Sequence, residues 1–167
     1  MNAITEKTGL AYDDKGEKAR SGMLSAYILN ELNQLPYFKK VPNSPKSLGK
    51  EWVLENVFPL FSQYEIADND LLNTYCEHIA YQISKAIKQT KAKVLVTGGG
   101  VYNDFLMERI KTTVLAEIVV PDKKVIEFKE ALIFAFLGVL RMRNEVNCLR
   151  SVTGARQDSS GGAIYFM

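Results

Sequence analysis

Histidine is almost absent from this chain: His78 is the only one. That excludes a cluster of imidazole ligands for zinc and a serine–histidine–aspartate triad. His78 lies beside an apolar helical stripe and reads as an ordinary helix-surface residue. Cysteine is nearly as scarce. Cys76 and Cys148 are far apart, lack the spacing of a metal-binding pair, and are expected to be reduced thiols of a cytoplasmic protein. The longest apolar run, Ala131 to Leu140, is too short to span a bilayer, and the start carries no basic-then-apolar leader, so no membrane partner is expected. Charge of one sign is missing too. A formal net charge of +2, with lysines scattered instead of gathered into a stripe, leaves no electrostatic footprint for nucleic acid.

What is present is an ordinary globular composition, 47% hydrophobic and 24% charged over 167 residues, enough for one sizeable core. The chain is organised around Val94 to Asn103, V-L-V-T-G-G-G-V-Y-N. Val94, Leu95 and Val96 are a β-branched and apolar run bounded by lysine and glycine, as in an interior strand. Gly98, Gly99 and Gly100 follow without side chains, so a ligand can lie directly on the backbone and left-handed dihedrals are cheap. A helix beginning near Asn103 would aim its free N–H groups back toward that space. Two readings stand side by side: a nucleotide site, or a crowded strand-to-helix turn with no ligand. The run is neither a phosphate loop ending in Gly-Lys-Ser/Thr nor the spaced-glycine dinucleotide fingerprint.

Around this stretch the pattern is mostly helical. Asn2 to Lys7 is expected to be helical and stopped by Gly9. Asp13 and Asp14 are adjacent acids that suit a solvated turn or a cap better than a magnesium site, with Asp14 capping a short helix through Arg20. Ser21 is expected to begin a helix with Leu24, Ile28 and Leu32 on its apolar face. Val41 to Lys50, with Lys46 and Ser47, is an irregular loop able to contact phosphate or sugar, or simply to cross the outside of the domain. Glu51 to Phe61 is a helix interrupted near Pro59, with Trp52 as packing. Asn69 or Asp70 caps a long helix to about Lys88, in which Leu72, Tyr75, Ile79, Ile83 and Ala86 recur at the helical period. Strands are expected at Lys93 to Thr97 and Ala116 to Val120, joined by a helix over Asp104 to Lys111, with ligands at the strand carboxyl ends. The helix within Ile126 to Met142 is apolar all round from Ala131 and should be buried on more than one side. Glu130 reads either as a helix-start acid or as a carboxylate aimed into a cleft. Gly161 to Phe166 is expected to return as a short strand. Few strands for an α/β chain suggest an incomplete sheet.

Taken together, these residues resemble the C-terminal half of anhydro-N-acetylmuramic acid kinases over nearly the whole chain. The resemblance is carried by Tyr12-Asp13 and Gly22, by Pro36-Tyr37-Phe38, and by Pro45-Lys46-Ser47 with Gly49 and Glu51. It continues through Val94 to Gly100 with Asn103, Leu106 and Met107, then Glu130-Ala131-Leu132 with Phe134-Ala135. It ends with Ser151 to Ala155 and Gly162-Ala163-Ile164. It implies an α/β fold, one ribonuclease H-like (actin-like ATPase) lobe, incomplete and with additional helices, spanning 1–167 as the C-terminal lobe of a two-lobe kinase. It implies ATP and Mg2+ as cofactors, and an anhydro-amino sugar phosphorylated on O6 with hydrolytic opening of its anhydro bridge. By motif, Gly98, Gly99, Gly100 and Asn103 would lie at the nucleotide and Glu130 at the sugar. The family's general base belongs to an Asp-x-Gly-Pro-Gly-Asn stretch that this sequence lacks. No catalytic residue and no metal ligand is therefore assigned here, and an N-terminal lobe, separately encoded or otherwise supplied, is expected as partner. A non-catalytic nucleotide-binding remnant and a homodimer covering apolar surface are the alternatives.

Overall fold

Local chemistry sets most of the element boundaries. The computed structural model describes residues 1–39, 48–87 and 91–165; the expectation placed on Lys46 and Ser47 lies outside the described residues. A short helix α1 (Asn2–Thr5) runs through a 3-10 turn and stops at Gly9, whose φ of 79° is left-handed. Helix α2 (Glu17–Ser21) follows the Asp13–Gly16 turn. Helix α3 (Ala26–Gln34) starts after Ser25, whose side chain accepts from the Ile28 N–H, and α4 (Pro36–Lys39) opens on a proline, which lacks a donor the first turn cannot use. Helices α5 (Lys50–Asn56) and α6 (Phe58–Phe61) are broken at Val57 ahead of Pro59. Then come α7 (Asp68–Ala86), β1 (Lys93–Leu95), α8 (Asp104–Thr113), β2 (Glu117–Val119), α9 (Lys123–Met142) and α10 (Arg150–Thr153). The architecture is mixed α/β, mostly helical, with a two-stranded parallel sheet in the order β1-β2. Among the described residues no helix is long and apolar enough to cross a membrane.

The chain forms two compact units, Met1–Pro121 and Asp122–Met167. In the first, α7 is the core: Leu72, Cys76 and Ala80 are fully buried, and α1, α2, α3 and α8 pack on it. Burying a side chain such as Leu72 is worth roughly 1.5–3 kcal/mol. The approach of the preceding segment is so close that only glycine fits at position 22, where a Cβ would come within 2.0 Å of the Asn69 carbonyl oxygen. Polar groups hold the same contact. Asn73 donates to the carbonyls of Ala19 and Gly22 at 2.9 and 3.0 Å, and the Ser25 N–H donates to the Thr74 hydroxyl at 2.9 Å.

Several expectations are corrected here. Ser21 ends a helix instead of starting one, because Gly22 turns extended against α7; the following helix begins only at Ala26, leaving Leu24 exposed. Helix α7 has Ala67 as its N-cap, with no side-chain cap; Asp70 instead accepts from the Met23 N–H at 2.7 Å. His78 is buried, 3% exposed, not on the surface, with Nδ1 2.8 Å from Asn33 Oδ1 and the Phe38 ring edge-on at 4.7 Å. Trp52 packs on Tyr37 and Phe38 as expected. β1 is not an interior strand: Leu95 is 60% exposed.

In the second unit α9 begins at Lys123, capped by Asp122, which accepts from the Val125 N–H at 3.1 Å. The all-apolar stretch from Ala131 is not buried on more than one side; no residue of α9 is buried. Nor do residues 161–165 form a strand. The ladder contact lies earlier, as an antiparallel bridge between Cys148 and Ser159. Asn147 then pins the tail, donating to the carbonyls of Leu137 and Gly161 and accepting from the Gly161 N–H.

Candidate functional site

The glycine loop is built by the end of a strand and the start of a helix. β1 pairs with β2 in parallel register, Lys93 with Glu117, Val94 with Ile118 and Leu95 with Val119, and the Val96 N–H extends the ladder to the Val119 carbonyl at 2.9 Å. The chain then leaves the sheet through Gly98 at φ 91°, ψ 172°, a conformation closed to residues with a Cβ. Gly99–Tyr102 form one 3-10 turn. Asn103 caps α8, its Oδ1 accepting from the Leu106 N–H at 2.8 Å. A side-chain oxygen at this position satisfies one of the orphan donors of the first turn.

The space in front of this loop bears on one part of the second reading, the crowding. A Cβ built on Gly98, Gly99 or Gly100 meets nothing within 4 Å. The loop is therefore not a crowded turn; its bare backbone faces open volume. Elsewhere in the same unit glycine is required by packing. At Gly16 a Cβ would stand 2.2 Å from Asn103 Oδ1 and 2.7 Å from the Phe105 Cβ.

That contact brings up a second wall, which sequence reasoning missed. Asp13 is buried, and its two oxygens accept from the Lys18 and Ala19 N–H groups at 2.9 and 3.0 Å. Asp13, not Asp14, therefore caps α2, while Asp14 is exposed. Lys15 takes the left-handed region at φ 52° and Gly16 at φ 76°. The turn is held to the glycine-loop helix by Gly16, and α2 is held to it by Arg20, which pairs with Glu108 at 2.8 Å and lies over the Phe105 ring. Between the turn and the glycine loop lies a cleft of about 590 Å³, lined by Tyr12, Asp14, Lys15, Gly99, Gly100 and Tyr102 among others. The signal that could have found the second wall was Gly16 directly after three charged residues, a pattern that marks a tight turn.

Glu130 stands in the other unit. It is exposed and lies beyond the first turn of α9, so the free N–H groups at the helix start do not account for it. Helical spacing puts it on one face with Phe134, Leu137 and Arg141. Those three line a cavity of about 570 Å³ with Asn147 and the 161–164 segment. Arg141 fixes that segment by donating from Nε to the Gly162 carbonyl at 2.8 Å. Gly99, Gly100 and Asn103 thus line one cleft in the first unit, with Gly98 just before it, and Glu130 belongs to the second unit. Among the described residues no group of three or more histidines, cysteines or acids is placed to hold a metal ion.

Two parallel strands joined through a glycine turn and a helix, with a cleft beside that turn, form an α/β unit. The sequence profile of the anhydro-N-acetylmuramic acid kinase family matches residues 1–167. The chain belongs to the anhydro-N-acetylmuramic acid kinase family. Relatives of that name include a protein of Sulfurimonas denitrificans, 32% identical over 97% of this chain and 47% of its own length. A second, from Sulfurovum sp., is 33% identical over 97% of this chain and 45% of its own. A third, from Mannheimia succiniciproducens, is 32% identical over 94% and 45%. The chain spans less than half the length of these curated relatives.

Proposed function

We propose that this chain is the nucleotide- and sugar-contacting part of an ATP-dependent kinase acting on O6 of 1,6-anhydro-N-acetylmuramic acid in the cytoplasm. The bridge is opened by water, and N-acetylmuramic acid 6-phosphate returns cell-wall material to metabolism. The observation that carries the reading is the open front of Gly98, Gly99 and Gly100. Gly98 is required by its φ, but Gly99 and Gly100 are required neither by packing nor by a left-handed φ; all three stand past the carboxyl end of a parallel strand, in a chain of this family. A backbone without side chains lets a flat or phosphorylated ligand approach to hydrogen-bond distance.

In this reading the glycine turn holds the nucleotide, and Asn103 keeps the turn's exit fixed by capping α8. The Tyr12–Lys15 turn closes the opposite side, and Lys15 brings a cation to the lining of the cleft. Glu130 takes the sugar. ATP, with Mg2+, supplies the phosphoryl group when bound. Phosphoryl transfer rests on alignment and on stabilising the charge of the transferring group. These residues do neither completely. The base that takes the O6 proton belongs to the Asp-x-Gly-Pro-Gly-Asn stretch, which is not in this sequence. The described strands then form part of a ribonuclease H-like lobe, and the remainder of the family's chain is the partner that completes the cleft. Alone, the chain holds nucleotide without turning it over.

The test is calorimetric titration with ADP. Gly99→Val fills space that is empty, so it leaves the fold intact and is expected to weaken ADP binding at least tenfold. Unchanged affinity in that variant would sink the glycine-loop assignment. Fast sugar phosphorylation by the purified 167-residue chain alone would sink the shared-site reading.

A further inference from the structure

The Asp13–Gly16 turn holds two consecutive left-handed residues, and packing explains only one of them. Gly16, at φ 76°, is where a Cβ would strike Asn103 and Phe105. Lys15, at φ 52° and ψ 7°, carries a full side chain in a region that glycine and asparagine enter at lower cost. The turn is fixed from both ends. Asp13 accepts from the Lys18 and Ala19 N–H groups, and Gly16 is pressed on Asn103. A backbone held in this way presents its side chain from a set position. That position is the cleft whose other wall carries Gly99 and Gly100, and every residue lining it belongs to the first unit.

The charges around the cleft single out the same residue. Three charged side chains line it: Asp13, Asp14 and Lys15. The Asp13 carboxylate is buried and taken up by its two backbone donors. Asp14 is shared with a neighbouring groove, where Glu17 and Lys18 also stand, whereas Lys15 borders the glycine cleft and not that groove. Among the described residues no carboxylate forms an ion pair with Lys15.

We propose that Lys15 is a specificity residue of this cleft: its ammonium binds a phosphate oxygen of the nucleotide, and so separates ADP from adenosine. The inference rests on the proposal that the glycine loop holds a nucleotide, and it assigns that ligand's anionic end to one side chain. An ammonium on a flexible stem suits the task, because it acts as a point charge that can follow a phosphate group. The strained backbone gives the proposal a signature of its own. A residue at ease in the left-handed region improves the fold while it removes the cation, so stability and phosphate affinity move in opposite directions. A lysine kept for the fold alone would not separate the two.

The experiment titrates the 167-residue chain with ADP, adenosine and inorganic pyrophosphate in a calorimeter, without divalent metal. Lys15→Asn is the variant, since asparagine accepts a left-handed φ and leaves the turn in place. It is expected to weaken ADP and pyrophosphate by about tenfold or more, the worth of a charge-assisted hydrogen bond. Adenosine binding should stay unchanged, the melting temperature should hold or rise, and the salt dependence of ADP binding should become shallower. Lys18→Asn removes a cation from the neighbouring groove and should leave ADP affinity as it was. ADP affinity unchanged in Lys15→Asn overturns the proposal. So do equal losses of ADP and adenosine, which would make the turn a structural support, and so does an equal loss in Lys18→Asn, which would reduce the effect to general charge. A lowered melting temperature with unchanged affinity overturns it as well, by revealing an ion pair within the chain. A wild type that binds ADP and adenosine equally well sinks the Lys15 assignment and leaves the nucleotide reading standing. A wild type that ignores both but binds pyrophosphate through Lys15 does the reverse, and one that binds neither ADP nor pyrophosphate sinks both.

Discussion

Helices α7 and α9 are nearly equal in length, 19 and 20 residues, and α9 is the more apolar in sequence. Yet α7 buries seven of its residues and α9 buries none. Burial is therefore not a property of the helix. It belongs to the neighbours the chain supplies. α7 receives α1, α2, α3 and α8, and its polar Asn73, Thr74 and His78 go inside with hydrogen-bond partners. Within its own unit α9 has the C-terminal segment against it, yet even Phe134 beside that segment is 70% exposed. The two helices thus differ in what surrounds them within their own units, not in how apolar they are.

The comparison breaks first under truncation. Leu72 in α7 is 1% exposed, and Leu72→Ala should cost about 3 kcal/mol, transfer and cavity terms together. Leu132→Ala in α9 should cost less than about 0.5 kcal/mol, since it removes a side chain already in water. Urea unfolding of both variants measures the pair. Equal losses would mean that α9 is packed in solution and that the contrast between the helices is false.

The next effect separates the two helices by pH. Burial lowers the His78 imidazole from its ordinary value to about 4. The folded value lies below the unfolded one of 6.5, so the unfolded chain binds the extra proton first. The contribution is complete above pH 6.5 and is lost as pH falls from there toward 4, by on the order of 3 kcal/mol. His78→Gln keeps a polar group near Asn33 without a titrating ring. It should flatten the stability profile of the wild type across that window. A wild-type profile no steeper than the variant's would show that the imidazole is not held neutral by the α7 core.

How far these differences could be read beforehand depends on the range of the forces involved. The β1–glycine–α8–β2 succession was legible because turn glycines, an Asn cap and β-branched runs act within a few residues. The break at Pro59 was legible for the same reason, as was the stop at Gly9. His78 was misplaced because its burial comes from Asn33 and Phe38, which no local pattern brings to it. The second wall of the candidate site was missed for a related reason. Asp13 and Gly16 gain their roles from Ala19 and Asn103, and only the second of these lies across the fold. At α9 the periodicity argument failed in the opposite direction: an apolar circumference was read as burial, although burial needs neighbours, and α9's own unit supplies them only beside Leu137 and Arg141.

A smaller effect tests the wall of the candidate site. Asp13→Ala removes a buried carboxylate that accepts from two N–H groups and leaves the Lys18 and Ala19 donors without it. A cap of this kind is worth about 1–2 kcal/mol. Because the turn faces the glycine loop, ADP affinity should fall together with stability. Thermal melts with and without ADP separate the two: a stability loss with unchanged affinity would detach this turn from the site.

The smallest expected change has the opposite sign in the two units. Gly22 and Gly138 are both glycines beside helical residues, but a Cβ at Gly22 meets the Asn69 carbonyl at 2.0 Å and one at Gly138 meets nothing within 4 Å. Gly22→Ala must push α2 away from α7 and should destabilise by about 1–3 kcal/mol. Gly138→Ala sits inside α9, where alanine is preferred by roughly 0.5–1 kcal/mol through the entropy of the unfolded chain. It should therefore raise stability by about that amount in the isolated chain. Urea unfolding of both variants measures the pair, and a loss at Gly138 in place of the gain would show that something does lie against that side of α9.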